Sequence, residues 1–149
     1  MKLGEYQELI YVKKKDFGIY LGETPNAQEK ERVLLPIKQV PADLQPFDTI
    51  RVFLYKDSSD RLIATTNEPK LTIGQLAVLK VKEIGKIGAF LDWGLEKDLF
   101  LPFKEMTQKV SKDDEVLVTL YIDKSERLCA SMKGIYNLLS KESPYKKDD

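Results

Sequence analysis

Two stretches of the chain decide the fold: DTIRVFLYKDSSDRLIAT at residues 48–65 and DEVLVTLYIDKSERLCAS at residues 114–131. They align without gaps at a constant offset of 66 residues. Identical pairs include Asp48/Asp114, Tyr55/Tyr121, Asp57/Asp123, Arg61/Arg127, Leu62/Leu128 and Ala64/Ala130. Upstream, residues 33–36 match residues 99–102 at the same offset, and residues 17–21 match residues 87–91 at an offset of 70. A self-match of this length indicates two copies of one small domain.

Each copy has the pattern of five short β-strands separated by turn residues. The predicted strands cover residues 6–12, 18–21, 33–36, 50–56 and 62–66 in the first copy, and 78–84, 88–92, 99–102, 116–122 and 128–131 in the second. Five short strands can close into a small barrel. We therefore predict an all-β chain with one barrel over residues 1–69, a second over residues 70–134, and a short helical turn and disordered tail over residues 135–149. Short helical turns are also expected after the third strand of each copy.

Alternation along the fourth strand of the second copy divides its side chains between two faces. Val116, Val118, Leu120 and Ile122 share one face and are predicted to lie in the core. Leu117, Thr119 and Tyr121 share the other face. The segments 57–60 and 123–126 that follow the fourth strands are rich in turn-forming residues and predict polar hairpin connections.

Composition limits the functions open to this chain. It has 24 basic and 24 acidic residues, a balance that argues against tight, indiscriminate binding of nucleic acid. With no histidine and only one cysteine, Cys129, histidine-dependent triads and the common His/Cys zinc sites are excluded. No apolar run is long enough to span a membrane, and the N-terminus lacks the apolar core of a signal peptide. We expect a cytoplasmic protein that is not an enzyme and has no metal, no cofactor and no membrane partner.

Several motifs of the second copy occur in the order found in S1 RNA-binding domains: TIG at 72–74, IGAFLD at 87–92, DDEV at 113–116, YID at 121–123 and RLCASMK at 127–133. The copy resembles an S1 domain over nearly its whole length, which implies a barrel of the OB-fold kind that binds RNA. Pro36 and Pro102 stand where many S1 domains have a histidine.

The paired arrangement, with a degenerate first copy, is similar to the N-terminal part of the conserved virulence factor B family of bacterial S1-like proteins. This resemblance implies RNA binding and post-transcriptional regulation. That family also carries a further S1 module and a winged-helix region, for which 149 residues leave no room. The expectation is a fragment or a shortened relative.

Single-stranded RNA is held by aromatic side chains that stack on bases and by cations that follow the phosphates. If Ala89 and Leu91 fill the barrel, Phe90 faces outward; likewise Phe100 and Pro102 face outward if Leu99 and Leu101 pack inward. Phe90 and Phe100 are thus the predicted stacking residues. The alternative is that the rings cover the barrel mouth or the neighbouring barrel. The candidate phosphate contacts are Lys80, Lys82, Lys86, Lys104 and Arg127.

The first copy offers Tyr20 at the position of Phe90 but Leu34 at the position of Phe100, a poorer platform. Phe17 points inward by strict alternation, or outward if Gly18 introduces a bulge; Phe17 and Tyr20 are its candidate RNA contacts. Trp93 is predicted to anchor a loop or the interface between barrels.

The competing function is a protein-interaction scaffold, because OB-type barrels also serve as docking surfaces and a neutral net charge suits that role.

Overall fold

The computed structural model describes residues 1–57 and 59–133. The first barrel is built from β1 (Tyr6–Lys15), β2 (Gly18–Gly22), β3 (Val33–Pro36), β4 (Thr49–Lys56) and β5 (Leu62–Thr65). Its strands close in the order β1-β2-β3-β5-β4. All neighbours are antiparallel except β3 and β5, which run parallel with Leu34 opposite Ile63.

The second barrel repeats this plan with β6 (Leu76–Ile84), β7 (Gly88–Asp92), β8 (Leu99–Pro102), β9 (Glu115–Ile122) and β10 (Leu128–Ser131). It closes in the order β10-β8-β7-β6-β9, again with one parallel pair, β8 and β10. The prediction of two five-stranded barrels in an all-β chain is confirmed. The helices of the described residues are 3-10 turns, two of which follow the third strands at Ile37–Gln39 and Phe103–Glu105.

The chain divides into two compact units between Glu68 and Pro69. Within residues 1–57 and 59–133 there is no helix long and apolar enough to cross a membrane. The helical turn and tail predicted for residues 135–149 lie outside the described residues.

Alternating side chains fill each barrel because successive residues of a strand point to opposite faces. In β2 and β3, Ile19, Leu21, Val33 and Leu35 are all buried. The equivalent residues of β7 and β8 are Ala89, Leu91, Leu99 and Leu101, which are also buried. Burying such side chains is the main stabilising contribution to a domain of this size.

One core assignment in β9 is wrong. Ile122 is 44% exposed because it is the last residue of β9, beside the hairpin turn and beyond the barrel interior. Thr119, on the face shared with Leu117 and Tyr121, is also buried, and its hydroxyl donates a hydrogen bond to the Ser131 carbonyl oxygen at 3.4 Å. Val116, Val118 and Leu120 are buried as predicted.

The repeat extends to backbone details that the sequence match alone does not reveal. Both first strands carry an irregularity at the same place, between Tyr11 and Lys13 in β1 and between Val81 and Glu83 in β6. Left-handed backbone also recurs at the 66-residue offset, at Phe47 (φ 71°) and Asp113 (φ 73°), and at Asp60 (φ 65°) and Glu126 (φ 60°). The two copies therefore share their turns as well as their strands.

Candidate nucleic-acid interface

Phe90 and Phe100 lie side by side on the outside of the second barrel. They are directly opposed in the β7–β8 pairing, with ring centroids 5.4 Å apart and ring planes inclined by 38°. Both are half-buried, while their strand neighbours Ala89, Leu91 and Leu101 are buried. The alternation predicted for these strands therefore holds, and it directs both rings away from the core.

Gly88 makes room for the Phe100 ring. A Cβ atom at residue 88 would lie 2.7 Å from Phe100 Cε1 and would also collide with the Leu101 carbonyl oxygen. Pro102, opposite Gly88 in the pairing, lines an outer depression together with Phe100, as the predicted alternation requires, although its side chain is buried. It is the last residue of β8 and leads into the 3-10 turn at Phe103–Glu105.

Two depressions flank Phe100, and it lines both of them. The larger, of about 460 Å³, is bordered by Ile87, Phe103 and Tyr121, with Lys86 and Lys104 also lining it. The smaller, of about 240 Å³, has Phe90, Lys97 and Arg127 in its walls. Ile87, Asp123 and Cys129 are common to both, so the depressions form one groove across β7, β8 and β10.

The parallel pairing of β8 with β10 builds the floor of this groove. It sets Cys129 directly beside Phe100. Cys129 is buried, and its thiol donates to Asp123 Oδ2 at 3.6 Å. Burial and the neighbouring Asp123 carboxylate raise the pKa of the Cys129 thiol to about 11, and burial also raises the pKa of Tyr121. Both groups are therefore neutral at physiological pH.

Asp123 is the acidic residue that the two depressions share. Burial alone would raise its pKa, but hydrogen bonds from the backbone N–H groups of Arg127 and Ser125 outweigh burial and lower the pKa. Both N–H groups donate to Oδ1, at 3.0 Å from Arg127 and 2.8 Å from Ser125. The same carboxylate thus closes the β9–β10 turn and lines the groove.

The predicted cations fall into two groups. Lys86, Lys104 and Arg127 line the groove. Lys82 donates to Asp98 Oδ1 at 2.9 Å, and this hydrogen bond raises the pKa of Lys82; Asp98 itself lines the smaller depression. Lys80 lines neither depression and lies 3.8 Å from Asp113 in an exposed ion pair.

The first barrel has a different aromatic arrangement. Phe17 is 54% exposed and meets Tyr20 edge to face, with centroids 6.3 Å apart. Phe17 faces outward because it belongs to the turn between β1 and β2, where strand alternation does not apply. Leu34 lies opposite Tyr20, where the second barrel has Phe100. The first barrel thus lacks the ring pair across the second and third strands.

Several groove residues were not predicted. Ile87 and Phe103, 69% and 46% exposed, lie close together because the Phe103 N–H donates to the Ile87 carbonyl oxygen at 3.1 Å. The sequence repeat could have identified Ile87, because the 70-residue offset aligns it with Phe17, which was already a candidate RNA contact. Tyr121 was assigned only to one face of a strand, and Asp123 only to a turn.

Trp93, which was predicted to anchor a loop or the interface between barrels, is buried and donates its indole N–H to the Lys97 carbonyl oxygen at 2.6 Å.

These features define a class: tandem OB-type barrels, the second of which carries an aromatic pair in a grooved outer surface. The sequence profile of the S1 domain matches residues 3–67 and 73–133. The chain therefore belongs to the S1 domain family, with two copies in tandem, as its motifs predicted.

Curated relatives include conserved virulence factor B from Staphylococcus. The Staphylococcus aureus (strain bovine RF122) protein is 30% identical over 115 residues, which cover 73% of this chain and 37% of the relative. The Staphylococcus haemolyticus protein is 28% identical over 117 residues, covering 76% and 39%. The chain thus spans less than two fifths of the length of these relatives.

A similar fold occurs in the crystal structure of a multidomain protein with nucleic acid binding domains from Streptococcus pneumoniae. The TM-score is 0.71 at 22% sequence identity, over 86% of this chain and 45% of that one. This likeness supports the barrel architecture described above.

Proposed function

We propose that this chain binds single-stranded RNA without catalysing a reaction, and that the groove of the second barrel is its principal contact surface. The observation that carries the proposal is the outward Phe90–Phe100 pair. Aromatic faces stack on bases of any sequence, and nearby cations follow the phosphates. Lys86, Lys104 and Arg127 line the same groove and are suitably charged for that role.

Membership of the S1 family supports a proposal for the biological setting. S1 domains are binding domains, and 115 residues of this chain align with conserved virulence factor B at 30% identity. We infer a role in post-transcriptional regulation in the cytoplasm, where RNA is available and the unpaired thiol of Cys129 stays reduced.

Binding by this chain alone is expected to be weak, in the micromolar range or weaker. Its 24 basic residues are balanced by 24 acidic ones, so counterion release contributes little non-specific affinity. Weak binding fits a module that works beside other modules, because linked sites raise one another's effective concentration.

One titration tests the proposal. A labelled single-stranded RNA is titrated with the protein at about 50 and 200 mM salt, and anisotropy reports binding. RNA binding through phosphates must weaken as salt rises. No measurable binding at the lower salt would refute the proposal, and nanomolar binding at the higher salt would contradict the weak affinity inferred from charge.

A second candidate, the protein-interaction scaffold, is favoured by a different surface. Val78 and Leu117 are direct partners in the β6–β9 pairing and are 57% and 41% exposed. Apolar contact through such a surface would be insensitive to salt over the same range.

A further inference from the structure

The larger depression combines apolar walls with one acceptor of fixed charge. Phe100, Phe103 and Ile87 offer the apolar surface that the faces of a nucleobase prefer. Asp123 is the acidic residue among those lining the depression. A base that enters beside Phe100 would therefore bring its polar edge toward this carboxylate.

The two oxygens of Asp123 have different roles. Oδ1 accepts two backbone hydrogen bonds, from Ser125 and Arg127, which hold the carboxylate in place. Oδ2 accepts from the Cys129 thiol at 3.6 Å. A thiol is a weak donor, so Oδ2 retains acceptor capacity for a stronger one.

A fixed anionic acceptor distinguishes bases by their edges. Adenine, cytosine and guanine each carry an exocyclic amino group that donates hydrogen bonds, and carboxylates are known acceptors for the cytosine amino group. Uracil has a carbonyl oxygen where cytosine has its amino group, and the N–H of uracil lies between two carbonyl oxygens. The carboxylate would repel those oxygens.

We propose that the depression beside Phe100 selects amino-bearing bases over uracil, with Asp123 Oδ2 as the accepting atom. The inference rests on the proposed RNA binding. Stacking alone accepts any base, whereas the Asp123 carboxylate would give this part of the groove a preference for one class of base. Cytosine and uracil give the cleanest comparison, because they are alike in size and differ mainly in this edge.

The first barrel supplies a matched control. Asp57, the counterpart of Asp123, accepts the same two backbone hydrogen bonds through Oδ1, each at 2.9 Å. Its Oδ2 lies 3.3 Å from Arg61 Nη2, so that oxygen already has a charged donor. Asp57→Asn changes an equivalent turn without touching the proposed site.

The experiment compares oligocytidine with oligouridine, each of about 12 nucleotides, by anisotropy at neutral pH and low salt. The protein is expected to bind oligocytidine about five- to tenfold more tightly, since hydrogen bonds to charged groups are among the stronger ones. Asp123→Asn keeps an Oδ1 acceptor for the turn and replaces Oδ2 with a donor. It should abolish or invert the preference, while Asp57→Asn should leave it unchanged.

A second measurement needs no protein variant. Oligocytidine dimethylated at the exocyclic nitrogen has lost its donors and should bind the unaltered protein no better than oligouridine. Equal affinity for the three oligonucleotides, or a cytosine preference that survives folded Asp123→Asn, overturns the inference and leaves RNA binding intact. Failure to bind any of them at low salt overturns the proposed function itself.

Discussion

Removing both rings of the platform, by Phe90→Ala with Phe100→Ala, should weaken binding of single-stranded RNA about tenfold or more. Stacking contributes roughly 1 to 3 kcal/mol per base, and about 1.4 kcal/mol corresponds to a factor of ten in affinity. The two rings are 5.4 Å apart, so they form one continuous surface and their contributions are coupled. Each single variant should therefore lose part of the affinity, and the double variant need not lose the sum.

The assay is the same anisotropy titration at low salt, preceded by a test of folding. The rings are half-buried, and an aromatic pair of this kind adds about 0.5 to 1.5 kcal/mol beyond its buried area, so the double variant should also melt at a lower temperature. Circular dichroism and thermal melting must show a folded barrel at the titration temperature, because lost packing would imitate lost stacking.

Tyr20→Ala is the matched control from the first barrel. Leu34 lies opposite Tyr20, so this substitution removes a ring that has no aromatic partner across the strand pair. It should cost less affinity than either substitution in the second barrel. If a folded Phe90/Phe100 double variant binds RNA as well as the parent, the stacking platform is refuted and RNA contacts another surface of the chain.

Three further results are expected. Gly88→Ala should destabilise the protein by about 1 to 3 kcal/mol in denaturant titration, because the new methyl group meets the Leu101 carbonyl oxygen and the Phe100 ring. Gly85→Ala should lower the free energy of unfolding clearly less, because its new methyl group would have the Phe90 ring edge at 3.3 Å as its nearest neighbour. Equal losses of stability would contradict the close approach at Gly88. Lys104→Ala should reduce the salt slope of RNA binding by up to about 0.7, the value for one single-strand phosphate contact, whereas Lys80→Ala should change it less, since Lys80 lines neither depression. Cys129 should react slowly with a thiol reagent at neutral pH and rapidly once denatured, because burial raises its pKa to about 11; immediate labelling of the folded protein would contradict this environment.

The strands could be predicted because each side of a small barrel imposes its own residue type. Ala89 and Leu91 fill the interior, which leaves Phe90 no direction but outward. The same rule misplaced Ile122, at the end of β9, where the chain leaves the regular pleat. Alternation is informative within a strand and loses its meaning at its last residue.

The groove itself was harder to predict than its rings. Cys129 comes beside Phe100 through the parallel β8–β10 pairing, which joins strands far apart in sequence, and the Cys129 thiol donates to Asp123 Oδ2. No local pattern encodes that pairing. The charges were difficult for another reason: Lys80, Lys86 and Lys104 look alike in the sequence, and only the folded barrel separates those that line the groove from the one that does not.

The matching side-chain hydrogen bonds of the two barrels suggest how such a chain can diversify. Thr65 Oγ1 donates to Gln39 Oε1 at 2.6 Å, and Ser131 Oγ donates to Glu105 Oε1 at 2.7 Å at the same offset. Both partners differ in identity between the copies, yet the contact is retained. After duplication of a gene segment, selection on folding acts on contacts like these and leaves the outer strand faces free to drift. One copy can then keep an inherited ligand while its twin acquires another.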